Sequence, residues 1–145
     1  MSGYMQTAKR DDWETPQGLF DELDAVYRFT LDPCSTDANA KCAKHYTLQD
    51  DGLAKSWAGE RVFVNPPYGR AIAPWVRKCA EESDGALVVA LLPARTDTAW
   101  FHDYVYGKAD IRFLRGRLRF ELGGGSARPR HVPGHAGQVV SHGTV

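Results

Sequence analysis

Asn65-Pro66-Pro67-Tyr68 follows the apolar run Val62-Phe63-Val64 and is closed by Gly69. A strand pattern followed by two prolines describes a strand that stops abruptly, because proline continues neither a helix nor a sheet ladder. In an open α/β sheet, ligands bind outside the carboxyl ends of strands, which is where this loop would sit. The residue types suit methylation of the exocyclic amine of a nucleobase. That amine's lone pair is delocalised into the ring, so a catalyst has to accept hydrogen bonds from its N–H groups and let the nitrogen become tetrahedral. The Asn65 side-chain carbonyl is one neutral acceptor. The Pro66 backbone carbonyl, on a residue with fixed φ and no N–H of its own, is a second. Tyr68 offers a flat face for an extruded base, a stacking contact worth roughly 1–3 kcal/mol. The same four residues also read as a simple turn, since Asn and Pro are common turn formers.

The elements that would position this loop follow from periodicity. Thr15-Pro16 reads as an N-cap followed by proline at the first helical position, and Leu19, Phe20, Leu23, Val26 and Tyr27 predict a helix running to about Tyr27. Phe29-Thr30-Leu31-Asp32 is a short strand candidate ending at Pro33, the first of the sheet by position. Residues 34–60 are rich in Ser, Asp, Asn, Lys and Gly and predict loops and brief helices. Arg61 to Val64 is the strand before the site, and Ile72 to Glu82 carries Ile72, Trp75, Val76 and Cys79 at helical spacing. Gly85 to Leu92 is an unbroken apolar run, the mark of a strand buried on both faces, and stops at Pro93. A helix over Thr98 to Tyr106 and strands at Ile111 to Leu114 and Leu118 to Glu121 complete the α/β pattern.

From Gly123 the character changes to a Gly/His-rich end without periodicity. The expected organisation is therefore one ordered domain over residues 1–122 and a disordered tail over 123–145. A length of 145 residues suits a single domain with its own core. With 43% hydrophobic and 25% charged residues, the composition is that of an ordinary globular protein. No run approaches the roughly 20 apolar residues of a membrane span, and the polar N-terminus lacks a signal-peptide core, so a cytoplasmic protein without a membrane partner is expected.

Cys34, Cys42 and Cys79 are odd in number and contain no C-x-x-C pair, which predicts free thiols rather than disulfides or a zinc site. The five histidines have no metal-ligand spacing, and no metal is expected. Zero net charge argues against a nonspecific nucleic-acid coat but permits local basic patches. A strand through Arg115, Arg117 and Arg119 would put the arginines on one face and Leu118 and Phe120 on the other, suited either to phosphate or to protecting a sheet edge. Arg95 and Asp97 lie just past the buried strand, where they would bind substrate or phosphate, or pair with each other.

Five segments occur in an order that resembles the phage-type DNA N6-adenine methyltransferase (Dam) family. They are Asp12-Trp13-Glu14-Thr15-Pro16, Leu31-Asp32-Pro33-Cys34, Asp50-Asp51-Gly52-Leu53, Val64 through Arg70, and Leu91 through Thr98. The resemblance covers roughly residues 11–126. It implies a Rossmann-like, mostly parallel methyltransferase fold that transfers a methyl group from S-adenosylmethionine to adenine N6 in DNA, in a phage or prophage protein. It assigns Asn65, Pro66, Pro67 and Tyr68 to catalysis. Asp32 matches the acidic position opening the family's cofactor motif, Trp13, Thr15 and Pro16 match a segment lining the same pocket, and Asp51 is a third cofactor element. Arg70, Arg95, Arg115, Arg117 and Arg119 are the candidate nucleic-acid contacts.

The chain also departs from that pattern. No glycine-rich turn follows Asp32, and the interval 34–60 is too short for the two further strands a longer methyltransferase would place there. Beyond Gly123 the family's Phe-Pro turn and final apolar strand are missing, so the sheet is expected to be abbreviated and to lack its last strand, as a frame shift near Ser126 would produce. The motif alone also fits RNA adenine or a protein glutamine as acceptor, and the altered end fits a non-catalytic remnant that binds nucleic acid or cofactor. No separate target-recognition domain is expected in this length, which leaves specificity to loops such as 34–60 or to a dimer.

Overall fold

The computed structural model describes residues 13–117, 121–122 and 136–142. Its centre is a parallel pair, β2 (Arg61–Val64) and β3 (Leu87–Pro93), with Val62 opposite Val88 and Val64 opposite Ala90. Alternate residues of these strands enter different buried clusters, as a period of two requires. Val62, Val64, Val88, Ala90 and Leu92 join one, and Phe63, Val89 and Leu91 join the other. Helix α2 (Ile72–Glu82) and helix α3 (Ala99–Tyr104) cover the first cluster with Ile72, Trp75, Val76, Cys79, Trp100 and Phe101. Helix α1 (Gln17–Tyr27) covers the second with Phe20 and Leu23. The result is a mixed α/β, three-layer arrangement, and burial on both faces is why β3 reads as an uninterrupted apolar run.

On one side of β2, Leu31 makes a parallel bridge to Val62 and Asp32 a parallel bridge to His45. The Asp32 N–H donates to the Lys44 carbonyl at 3.1 Å, and the Tyr46 N–H donates to the Asp32 carbonyl at 2.9 Å. The predicted first strand is thus reduced to two bridging residues. The interval 34–60 supplies His45, the partner in the second of these bridges, and a 3-10 turn at Gly52–Ala54.

On the other side of β3, the structure corrects the expected loss of the last strand. Strand β6 (Ala136–His142) lies antiparallel between β3 and β4 (Asp110–Arg117), so part of the segment read as a disordered tail is built into the sheet. A stretch with only Val139 and Val140 as an apolar pair has no readable period. Its strand conformation comes from the two backbone edges it satisfies, a tertiary effect that local propensity does not register. Strand β4 is also longer than the Ile111 to Leu114 prediction. Of the second predicted strand, residues 118–120 lie outside the described residues, and Glu121 belongs to β5 (Glu121–Leu122), which pairs antiparallel with β1 (Trp13–Glu14).

Helix α1 begins one residue later than predicted, with Pro16 rather than Thr15 at the cap. The Pro16 carbonyl accepts from the Phe20 N–H at 3.1 Å, and no side chain caps the helix. At its other end Arg28 takes a left-handed conformation (φ 53°), and the Asp24 carboxylate accepts the Phe29 N–H at 2.8 Å, turning the chain toward Leu31. The Arg61 guanidinium donates to the Tyr27 carbonyl, and Arg112 pairs with Glu22 at 3.1 Å, so α1 is tied to both β2 and β4. Among the described residues no helix is long and apolar enough to cross a membrane, and no group of three His, Cys, Asp or Glu could hold a metal ion.

Candidate active site

Asp32 and Asn65 stand at the carboxyl ends of neighbouring parallel strand segments, since Leu31 bridges Val62 and Val64 ends β2. Between them lies a small polar cleft whose walls include Thr15, Asp32, Ser35, Asn39, Lys41 and Asn65. The carboxamide nitrogen of Asn65 donates to the Thr15 hydroxyl at 3.0 Å, and Thr15 is only 3% exposed. Thr15 lies one residue before the cap position of α1, which is Pro16, and its hydroxyl instead meets Asn65 across the cleft. Pro66 and Pro67 are buried without N–H groups to satisfy, and Gly69 turns the loop into α2 through φ 89°, a conformation that favours glycine. Tyr68 is half-buried against both core clusters, and burial pushes its phenol up from the ordinary value.

The Asp32 side chain is 4% exposed at the bottom of the cleft. Burial raises its pKa to about 6, against the opposing pull of hydrogen bonds from the Lys41 N–H at 3.0 Å and the Cys34 N–H at 3.3 Å. A carboxylate so poorly solvated gains from a cation or a hydroxyl donor brought into the cleft.

Ser35, Asn39 and Lys41 were not singled out in the sequence. They reach the cleft because residues 34–41 fold back on themselves: the Thr36 N–H donates to Asn39 Oδ1 at 2.7 Å, the Asn39 N–H to Thr36 Oγ1 at 3.2 Å, and Lys41 Nζ to Gln17 Oε1 at 2.7 Å. The reciprocal Thr36/Asn39 pair, three residues apart, resembles a capping box without its helix, and that spacing was the available signal.

Asp51 is exposed, takes φ 57° and does not line the cleft. Its neighbour Gly52 carries the structural meaning of the motif. A Cβ on Gly52 would stand 2.1 Å from the Pro33 carbonyl oxygen, so only glycine lets this backbone lie against the turn that carries Asp32. The Gly52 carbonyl in turn accepts from Trp57 Nε1 at 3.1 Å. Pro16 starts α1 outside the cleft lining, and Trp13 pairs with Leu122 through its backbone. A wider groove runs between α2 and α3, past Pro74 and Trp100, but includes none of the predicted site residues.

Residues 3–144 match the profile of the DNA N-6-adenine-methyltransferase (Dam) family. The chain belongs to this family. The match extends well beyond the residue 126 limit read from the motifs and takes in β6. A DNA N-6-adenine-methyltransferase of Escherichia phage T1 is 30% identical over 140 residues, 92% of this chain and 58% of the phage protein. A DNA N-6-adenine-methyltransferase of Haemophilus phage HP1 is 28% identical over 109 residues, 72% of this chain and 62% of that protein. The chain thus spans about three-fifths of the length of these relatives.

In this Dam-family chain the predicted arginines gather at one end of the sheet. Both β3 and β4 are antiparallel to β6, and Gln138 is opposite Leu92 and Phe113, so the carboxyl ends of β2, β3 and β4 point the same way. Arg70, in the 3-10 turn Gly69–Ala71, Arg95, just past Pro93, and Arg115, on β4, are all exposed there. The pairing register shifts between Phe113 and Arg117, which interrupts the simple alternation predicted for Arg115 and Arg117. Arg119 and the Arg117 side chain lie outside the described residues. No ion pair joins Arg95 to Asp97 among the described residues.

Proposed function

We propose that this chain transfers a methyl group from S-adenosylmethionine to N6 of adenine in DNA, in a Rossmann-like methyltransferase domain in the cytoplasm of a bacterial host. The observation that carries the reading is Asn65-Pro66-Pro67-Tyr68 at the carboxyl end of β2, beside a cleft with a buried Asp32 at its base, in a chain of the Dam family. The catalytic unit runs past the expected limit of residue 122 to include β6, which joins β3 to β4.

The donor set of the cleft suits the cofactor. Asp32 takes an ammonium group or ribose hydroxyls, either of which offsets the cost of keeping its charge buried. Ser35 and Asn39 add hydrogen-bonding groups to the walls. S-adenosylmethionine supplies, when bound, an electrophilic methyl group on a positively charged sulfur.

The chain's own residues handle the acceptor. The Asn65 and Pro66 carbonyls accept the two N–H groups of the amine and hold its nitrogen toward the methyl group without removing a proton first. Tyr68 stacks on the extruded adenine, and its packing on both core clusters keeps that platform rigid. Arg70, Arg95 and Arg115 carry positive charge to the same end of the sheet, suited to the phosphates flanking the extruded base.

The test is methyl transfer from labelled S-adenosylmethionine to unmethylated DNA, with the digested nucleosides resolved by mass spectrometry. N6-methyladenine from the parent and none from Asn65→Ala supports the reading. Product on RNA or protein only, or no product from a folded, cofactor-binding parent, overturns it.

A further inference from the structure

We infer that Thr15 is a positioning residue for Asn65: its hydroxyl accepts from the carboxamide and so restrains the side chain that is to accept from the amine. The inference rests on the proposed role of Asn65 as an amine acceptor. It moves Thr15 from the cofactor, where the sequence resemblance put it, to the orientation of the catalytic side chain.

The two ends of an asparagine side chain are nearly the same size, and the terminal torsion that exchanges them is broad. One end accepts hydrogen bonds and the other donates them. The bond from Asn65 Nδ2 to Thr15 Oγ1, 3.0 Å long, ties the carboxamide to a fixed point and restrains that torsion. Donation from the amide nitrogen also raises electron density on the amide oxygen, which makes it a better acceptor.

Thr15 is itself held firmly. It is 3% exposed, β1 before it is paired with β5, and Pro16 after it begins the approach to α1. The hydroxyl is therefore presented from a fixed backbone. Two segments distant in the chain, the N-terminal one and the one carrying β5, contribute to the aim of a side chain at the end of β2.

The test compares Thr15→Val, which keeps the shape and removes the hydroxyl, with Thr15→Ser, which keeps the hydroxyl. The expected result is a kcat about tenfold lower in Thr15→Val, the factor one hydrogen bond commonly supplies, with KM for DNA and Kd for S-adenosylmethionine unchanged. Thr15→Ser should stay within about twofold of the parent by the same reasoning. A second measurement does not depend on activity: hydrogen exchange of the Asn65 side-chain amide, its signal assigned by loss in Asn65→Ala. It should quicken in Thr15→Val and not in Thr15→Ser. Unchanged kcat and exchange in Thr15→Val, equal impairment of both variants, or weakened S-adenosylmethionine binding with kcat preserved would each overturn the assignment. If the parent makes no N6-methyladenine, the functional reading fails, and the exchange comparison still decides whether Thr15 anchors Asn65.

Discussion

Asn65 and Thr15 are fifty residues apart in the chain and joined by a 3.0 Å hydrogen bond across the cleft. The bond links the segment entering α1 to the loop leaving β2, so the site is assembled from two strand-to-helix regions rather than from one motif.

Under the proposed mechanism, replacing Asn65 with alanine removes one of two acceptors for the amine while leaving the Asp32 side of the cleft intact. The expected loss in kcat is at least roughly 100-fold, the range for removing one preorganised polar group at a reacting centre. Cofactor affinity, read by calorimetry, should change little. Equal loss of transfer and of cofactor binding would point to a misfolded loop instead.

Asp32 predicts a pH dependence of definite sign. Its pKa is raised from 3.8 to about 6, so the native state favours the protonated carboxyl. The stabilising contribution of the group is complete below pH 3.8 and is lost as pH rises through about 6. A shift of about two units corresponds to about 3 kcal/mol. In the ligand-free protein, stability relative to Asp32→Asn should fall between about pH 4 and pH 6, followed by urea denaturation. A cationic cofactor group favours the ionised form, so S-adenosylmethionine affinity should rise over the same interval in the parent and lose that rise in Asp32→Asn. Parallel pH profiles for the two proteins would show that Asp32 does not titrate there.

Gly52→Ala should damage the Asp32 side of the cleft from outside its lining. The new methyl group would meet the Pro33 carbonyl at 2.1 Å and the Trp75 ring at 3.1 Å. Neither the backbone turn nor the buried ring yields easily, and a cost of about 1–3 kcal/mol is expected from overpacking. Urea denaturation should register the loss, and S-adenosylmethionine binding should weaken because the Pro33 turn carries Asp32. Gly52→Ala with parental stability would mean that the turn is slack.

Arg70→Ala and Arg95→Ala should weaken DNA binding uniformly across sequences and leave cofactor affinity alone. Each phosphate contact removed should flatten the slope of log K against log salt by about 0.9. Fluorescence anisotropy over a salt series measures this. An unchanged slope in both variants would move the DNA path elsewhere on the protein.

The alternation of Val62, Phe63 and Val64, the unbroken run of β3 and the helical spacing of Ile72, Trp75, Val76 and Cys79 made the central layers legible in the sequence, because burial on a regular element imposes a regular apolar period. The break after β2 was legible for a related reason: two prolines after a strand leave few conformations. The lining of the cleft was legible only in part. Asp32 stood out beside Pro33, whereas Asn39 and Lys41 enter the cleft through a folded loop that has no period.

Three matters were decided by the tertiary structure alone. The Thr15 hydroxyl bonds Asn65 and does not cap α1, because a hydroxyl has no sequence-local rule that ranks a distant amide against a nearby helix end. Gly52, not Asp51, is what the Asp51-Gly52 motif contributes to packing, because the contact that excludes a side chain there comes from Pro33. Ala136–His142 becomes a strand because β3 and β4 each present a backbone edge to it. Local chain chemistry determines which elements can form, and contacts between residues far apart in sequence decide which of a residue's possible partners it takes.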